Sequence, residues 1–250
     1  MKLMSNKYTH NFKILNLYDK NNKVASQLLY GETFSIINKK AGRYYIKTTY
    51  DNYLGFIKIK KILKYKNNPT HQIVSKKAFI YKKKNKKIVK NGYLYFGSKI
   101  EVKKINEKYS YTDKFLIKNK DILCLKKKIN NPLNFLKFFQ GTKYLWGGIS
   151  INGVDCSGMV QSIYKLNGQF FPRDTKDQIK FIKNKISIDK VRMGDLFFWK
   201  GHVGVALNDK FLIHAYGPKK KVIVSRISTI INKLQKKRLS LLAIKRYKLK

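Results

Sequence analysis

The spacing of hydrophobic positions changes near residue 128. Before it, short apolar runs alternate with polar residues and are cut by Asn, Asp, Gly and Lys turns. Phe12–Leu17, Thr33–Ile37, Tyr44–Thr48 and Leu54–Ile59 form one set. Ala78–Tyr81, Gly92–Phe96, Lys99–Lys103, Tyr109–Thr112 and Phe115–Ile117 form a second. Period-2 alternation at this spacing predicts small all-β modules. Each set has a glycine shortly before an alternating strand, Tyr30-Gly31-Glu32 and Phe96-Gly97-Ser98, which reads as a weak internal repeat. Lys66–Thr70, with Pro69, is the expected linker.

Beyond 128 helical periods enter. Asn131-Pro132 opens a short helix through Phe139, closed by Gly141. A second helix runs from about Cys156 to Leu166 and stops at Gly168. Asp174 can cap a third over Thr175–Asn184. Strands follow at Leu196–Trp199, His202–Leu207, Phe211–Tyr216 and Val222–Ile227, then a helix near Ser228–Lys236 and a last strand, Leu241–Tyr247. Helices first and antiparallel strands after describe an α+β domain. The expected domains are therefore 1–65, 66–127 and 128–250.

Composition changes this picture little. The chain has 250 residues and a formal charge of +43, yet it is 43% hydrophobic, enough apolar material for real cores. Six of the 56 basic residues are arginine and the rest are lysine, spread along the whole length. Base-specific readers favour arginine forks, and abundant Lys, Ile, Asn, Phe and Tyr are the mark of an AT-rich genome. No specific nucleic-acid partner is expected. No apolar run approaches the ~18 residues of a membrane span. Met1–Phe12 lacks the apolar core of a signal peptide, so cytoplasmic localisation is the expectation, with non-classical export open.

Four histidines and two cysteines make placement informative. His10 and His71 read as surface residues, and Cys124 as a buried inert thiol. Cys156 follows Asp155 at the start of a helix, where the dipole lowers a thiol pKa and free N–H groups can hold an oxyanion. It could equally pack with Met159, Val160 and Ile163 on one apolar face. His202 and His214 lie on two strands joined by Leu207-Asn208-Asp209-Lys210. If paired positions sum to 417 the rings fall on opposite faces; a sum of 416 or 418 puts both on one face. An even sum is therefore the condition for a nucleophile, base and orienter constellation. A zinc site from the same three residues would lack the close ligand spacing of such motifs.

Tyr144-Leu-Trp-Gly-Gly148, Asp155-Cys-Ser-Gly158 with Gln161, and Pro172-Arg-Asp-Thr175 with Gln178 resemble the NlpC-type, papain-like bacterial cysteine peptidases. Gly194-Asp-Leu-Phe-Phe198, Gly201-His-Val-Gly-Val205 and Ile213-His-Ala215 continue the pattern in order, over about 120 residues. Ser26–Gly31, Asp51–Phe56 and Phe96-Gly-Ser98 resemble two bacterial SH3-like domains found ahead of that peptidase. The resemblance implies two small all-β SH3-like barrels followed by an α+β papain-like catalytic domain. It implies Cys156 as nucleophile, His202 as general base and His214 as its orienter. Tyr144 would help bind the oxyanion or substrate, and Asp155 and Ser157 would hold a substrate's amino end. Tyr53 would wall one end of the cleft, unless it packs its own barrel. Trp146 and Gly147-Gly148 are expected to pack and turn, and Arg173-Asp174 to form a structural turn.

The function implied is a cysteine endopeptidase on peptidoglycan stem peptides. It would cleave between γ-D-glutamate and L-lysine or meso-diaminopimelate, in muropeptide recycling, with no cofactor. An amidase or transpeptidase on the same scaffold, or a non-catalytic wall-peptide binder, are the alternatives. Nothing in the sequence bears on oligomeric state.

Overall fold

The computed structural model describes residues 7–40, 42–65 and 68–249. The reading of Met1–Phe12 thus falls partly outside the described residues, as does that of the linker at 66 and 67. The chain divides into two compact units, 1–128 and 129–250.

The first unit is all β. One antiparallel sheet has seven strands in the order Val24–Leu29, Ile14–Tyr18, Leu54–Ile57, Arg43–Thr48, Phe34–Lys40, Lys7–Thr9 and Leu63–Lys64. Leu15, Leu17, Leu28, Phe34, Ile46 and Ile57 point inward from alternating positions and form its core. Val24–Leu29 escaped the sequence reading because four consecutive residues, Ser26 to Leu29, are buried, which hides the alternation. The second set builds a five-stranded and a three-stranded sheet around Ile73, Ala78, Leu94, Ile100 and Ile117. Its longest element is one hairpin, Lys77–Lys84 with Lys87–Tyr95. The turn residues Asn85 and Lys86 have φ of 47° and 63°, the twist-matched geometry of a two-residue hairpin loop. Lysine in place of the usual glycine there, within a lysine-rich run, concealed the turn. The Lys99 amide donates to the Tyr30 carbonyl at 2.8 Å, joining the two sets by backbone.

The second unit is α+β. A 3-10 turn, Pro132–Phe135, leads into α1 (Leu136–Phe139). Then come α2 (Cys156–Leu166), α3 (Thr175–Phe181) and α4 (Ile227–Gln235). A five-stranded antiparallel sheet has the order Lys221–Arg226, Phe211–Tyr216, His202–Ala206, Leu196–Trp199, Ala243–Lys245. On one side, α4 and the apolar residues Phe197, Trp199, Leu212 and Ile244 make a core. On the other, α2 packs across the two central strands. The α3 helix stops three residues short of the expected Asn184, because Ile182 turns extended and is buried to 1% exposure. Asp174 precedes it but makes no side-chain cap bond. Among the described residues no helix is long and apolar enough to cross a membrane.

His10 corrects the surface assignment: it is 2% exposed in the first unit. Cys124 corrects in the other direction, being only half-buried on the strand paired with His71. Burial pushes the His10 ring down to about 4, with Glu32 nearby acting the opposite way. Between pH 6.5 and about 4 the unfolded chain therefore binds a proton that the folded one excludes. Stability is full above pH 6.5 and falls as pH drops through that window, by at most about 3 kcal/mol for this group. Urea midpoints at pH 7 and 4.5 should diverge more for wild type than for His10→Phe; equal losses would show that His10 carries no such penalty.

Candidate active site

Asp155 organises the start of α2. It caps the helix, its Oδ1 accepting from the Gly158 amide at 2.7 Å. The same oxygen accepts from Arg173 Nη1 at 3.0 Å and Ser157 Oγ at 3.2 Å. Oδ2 accepts from Arg173 Nη2 at 2.6 Å and from the Gly147 amide at 2.9 Å. Arg173 also donates to Ser157 Oγ at 3.0 Å. Its side chain is 1% exposed, so within the expected structural turn Arg173 is the buried partner of a bidentate ion pair. Asp155 and Ser157, expected to meet a substrate, are both held by groups of the protein itself.

This pair sets the packing of the loop before α2. The open face of Gly158 is taken by backbone: a Cβ there would lie 2.3 Å from the Gly148 carbonyl oxygen. The motif glutamines also brace loops. Gln178 donates to the carbonyls of Ser157 and Pro172 at 3.0 and 2.9 Å, and Gln161 to that of Phe171 at 3.0 Å. Trp146, expected to pack, is 68% exposed.

Cys156 is the first residue of α2 and is 5% exposed. Its sulfur lies 3.9 Å from Thr175 Oγ1 and 3.9 Å from the Gly201 carbonyl oxygen. Burial, and then the Asp155 charge, push the thiol above its ordinary pKa; the Val203 and Ser157 backbone and the Thr175 hydroxyl pull the other way. The helix-dipole expectation is therefore reversed in the resting site, since desolvation outweighs it. Tyr144 stands close enough for the thiol's charge to act on it. Burial first, then Cys156 and Asp155, raise its phenol to about 12, which keeps it a hydrogen-bond donor.

The histidine condition is met. Val205 pairs with Ile213 and Ala206 with Leu212, a sum of 418. His202 and His214 are thus diagonal neighbours on one face, and His202 Nε2 lies 2.8 Å from His214 Nδ1. Gly204 stands opposite His214 in this register; a Cβ there would approach Leu212 Cδ1 to 2.9 Å and His214 Cβ to 3.4 Å. The other His214 nitrogen, Nε2, lies 3.1 Å from Ser225 Oγ. Trp199 and Tyr216 flank the His202 ring, with centroids at 5.7 and 6.0 Å. Burial lowers His202 to about 4. His214 falls to about 3 through burial, then through His202 and Lys233. Both rings are neutral near pH 7.

The structure thus brings Cys156, His202, His214, Tyr144, Asp155 and Ser157 into the second unit's one loop-and-sheet corner, since Gly201 and Val203 bracket His202 and both touch the thiol. Tyr53 belongs to the first unit, where it packs against that unit's own core. Among the described residues no group of three His, Cys, Asp or Glu side chains is placed to hold a metal ion. Ser225 and Thr175 were not singled out in the sequence. Ser225 sits two positions beyond Ile223, the residue opposite His214, so alternation puts it on the histidine face once the register is known.

Residues 141–240 match the model of the NlpC/P60 family, and residues 17–62 that of the bacterial dipeptidyl-peptidase Sh3 domain. A γ-D-glutamyl-L-lysine dipeptidyl-peptidase of Bacillus subtilis (strain 168) is 41% identical over 105 residues, covering 38% of this chain and 35% of that protein. Dipeptidyl-peptidase 6 of Lysinibacillus sphaericus is 42% identical over 77 residues, covering 31% and 28%. The match thus spans about a third of each curated relative. A crystal structure of an NlpC/P60 family protein from Bacillus cereus ATCC 10987 superposes with a TM-score of 0.82, covering 98% of this chain and all of that one at 18% identity, which is a likeness of fold. The chain carries an SH3-like β-rich region followed by a domain that matches the NlpC/P60 family model.

Proposed function

We propose that the chain is a cysteine endopeptidase that hydrolyses the bond between γ-D-glutamate and the following diamino acid in peptidoglycan stem peptides. The observation that carries this is the hydrogen-bonded His202–His214 pair at 2.8 Å, spanning two neighbouring strands, with residues 201 and 203 on either side of His202 reaching the Cys156 thiol. The two curated relatives named as dipeptidyl-peptidases, one of them specific in name for γ-D-glutamyl-L-lysine, support the substrate class.

The protonation states shape the chemistry. His202 Nε2 is engaged by His214, which leaves Nδ1 to take the thiol proton. Cys156 sulfur attacks the γ-carbonyl as that proton moves. The oxyanion is held by the first-turn Cys156 N–H of α2, since Asp155 already occupies the Gly158 amide. The Tyr144 hydroxyl, protonated at neutral pH, donates a second bond. His202 returns its proton to the leaving amine of the diamino acid, giving a thioester. Water, deprotonated by His202, then cleaves the thioester and releases the γ-D-glutamyl carboxylate. Asp155 and Ser157 act here by fixing the helix start and its loop. Free stem peptides arise in wall turnover, so muropeptide recycling is the proposed setting.

Incubation with L-Ala-γ-D-Glu-L-Lys and with its meso-diaminopimelate counterpart, followed by mass spectrometry, tests the reaction. Wild type should release L-Ala-γ-D-Glu, and Cys156→Ala should be slower by roughly 10³-fold or more. Folded wild type that cleaves neither peptide overturns the proposal.

A second expectation concerns pH. Because the thiol is raised and His202 is neutral down to about 4, the resting site holds thiol and imidazole rather than an ion pair. Thiolate therefore accumulates only as pH rises, and alkylation of Cys156 by iodoacetamide should keep climbing past pH ~8.5. A rate that is fast and flat from pH 5 to 8 would instead mean a preformed thiolate–imidazolium pair.

A further inference from the structure

The relay does not end at His214. Its Nε2 lies 3.1 Å from the hydroxyl of Ser225, on the neighbouring strand Lys221–Arg226. His214 itself is fully buried, whereas Ser225 is half-buried. Resting on the peptidase reading above, we propose that Ser225 is a positioning residue that selects the catalytic tautomer of both histidines.

The reasoning is a count of protons along the chain of contacts. For His202 Nδ1 to accept the thiol proton, the single N–H of neutral His202 must sit on Nε2. That N–H then donates to His214 Nδ1, 2.8 Å away, which must carry no proton. Neutral His214 therefore carries its proton on Nε2, and the group facing that nitrogen must accept it. Ser225 Oγ fills this place, and its own hydroxyl hydrogen remains free to turn elsewhere. The opposite tautomer of His214 would point an N–H at the Nε2–H of His202. His202 would then be driven to protonate Nδ1, which cannot take a proton from sulfur.

Burial sharpens this choice. With both rings held neutral by desolvation, no doubly protonated ring is present at rest to satisfy every contact, so one acceptor at the end sets the whole chain. During attack the relay also carries charge: as His202 gains its second proton, the Nε2–H bond to His214 strengthens, and the bond from His214 to Ser225 makes Nδ1 a better acceptor. The reacting atoms are not touched by Ser225, which acts through two rings.

Histidine-ring nitrogen–proton correlation spectra of the full-length, ¹⁵N-labelled chain at pH 7 test this together with steady-state kinetics on L-Ala-γ-D-Glu-L-Lys. Wild type should show His202 and His214 both protonated at Nε2. Ser225→Ala should shift His214, and with it His202, toward Nδ1 protonation. It should also lower kcat about tenfold or more, with KM within twofold. Ser225→Thr, which keeps the hydroxyl and suits a strand, should restore both readouts. Unchanged tautomers with kcat within twofold in Ser225→Ala, or no recovery in Ser225→Thr, would overturn the assignment. The spectra report on Ser225 even if wild type cleaves nothing, in which case the peptidase reading alone fails.

Discussion

The buried pair between Asp155 and Arg173 is the contact on which the site depends. One carboxylate receives two bonds from Arg173, the cap bond from Gly158, the Gly147 amide and the Ser157 hydroxyl. Three stretches distant in sequence, the loop at 144–148, the start of α2 and the turn at 172–174, are thereby tied at one point. Such a pair returns little net stability, because both charges lose their water. What it provides is position: with every acceptor direction used, the helix start that presents Cys156 has one arrangement. Removing Arg173 alone would leave a desolvated carboxylate, at a cost of about 3–5 kcal/mol.

A second constraint meets the first at the thiol. The hairpin through Asn208-Asp209 holds an even register, which puts His202 and His214 together on the face they share with Trp199, Leu212 and Tyr216. Helix and hairpin are each simple; the helix's first turn meets residues 201 and 203, on either side of His202, at one sulfur. Enclosure then decides protonation. Near pH 7 the thiol and both imidazoles rest neutral beside the charged Asp155–Arg173 pair.

Of the residues behind the +43 charge, Arg173 pairs with Asp155 in this corner and Lys233 acts on His214. Lysine covers the exposed positions of strands and helices, and its even distribution left the rare residues as the readable ones. The alternating strands, the helix of Cys156 and its Asp155 cap, and the stop at Gly168 were legible because each depends on local spacing and local hydrogen bonds. The strand Val24–Leu29 and the Asn85-Lys86 turn were not, one because its residues are buried on both faces and the other because lysine occupies a glycine-like conformation. His10 was misjudged for a similar reason: polar neighbours along the chain say nothing about which layers close over a side chain.

The sequence alone determined which residues could do chemistry, the order of elements carrying them, and the parity condition that the two histidines had to satisfy. Tertiary structure decided that parity, since a one-residue change of register costs nothing locally and inverts every side chain on the strand. It also decided the direction of the thiol's shift, the burial of Arg173 against Asp155 and the place of Ser225 beside His214. Desolvation and cross-strand diagonals are properties of how layers stack, and no window of neighbouring residues contains them.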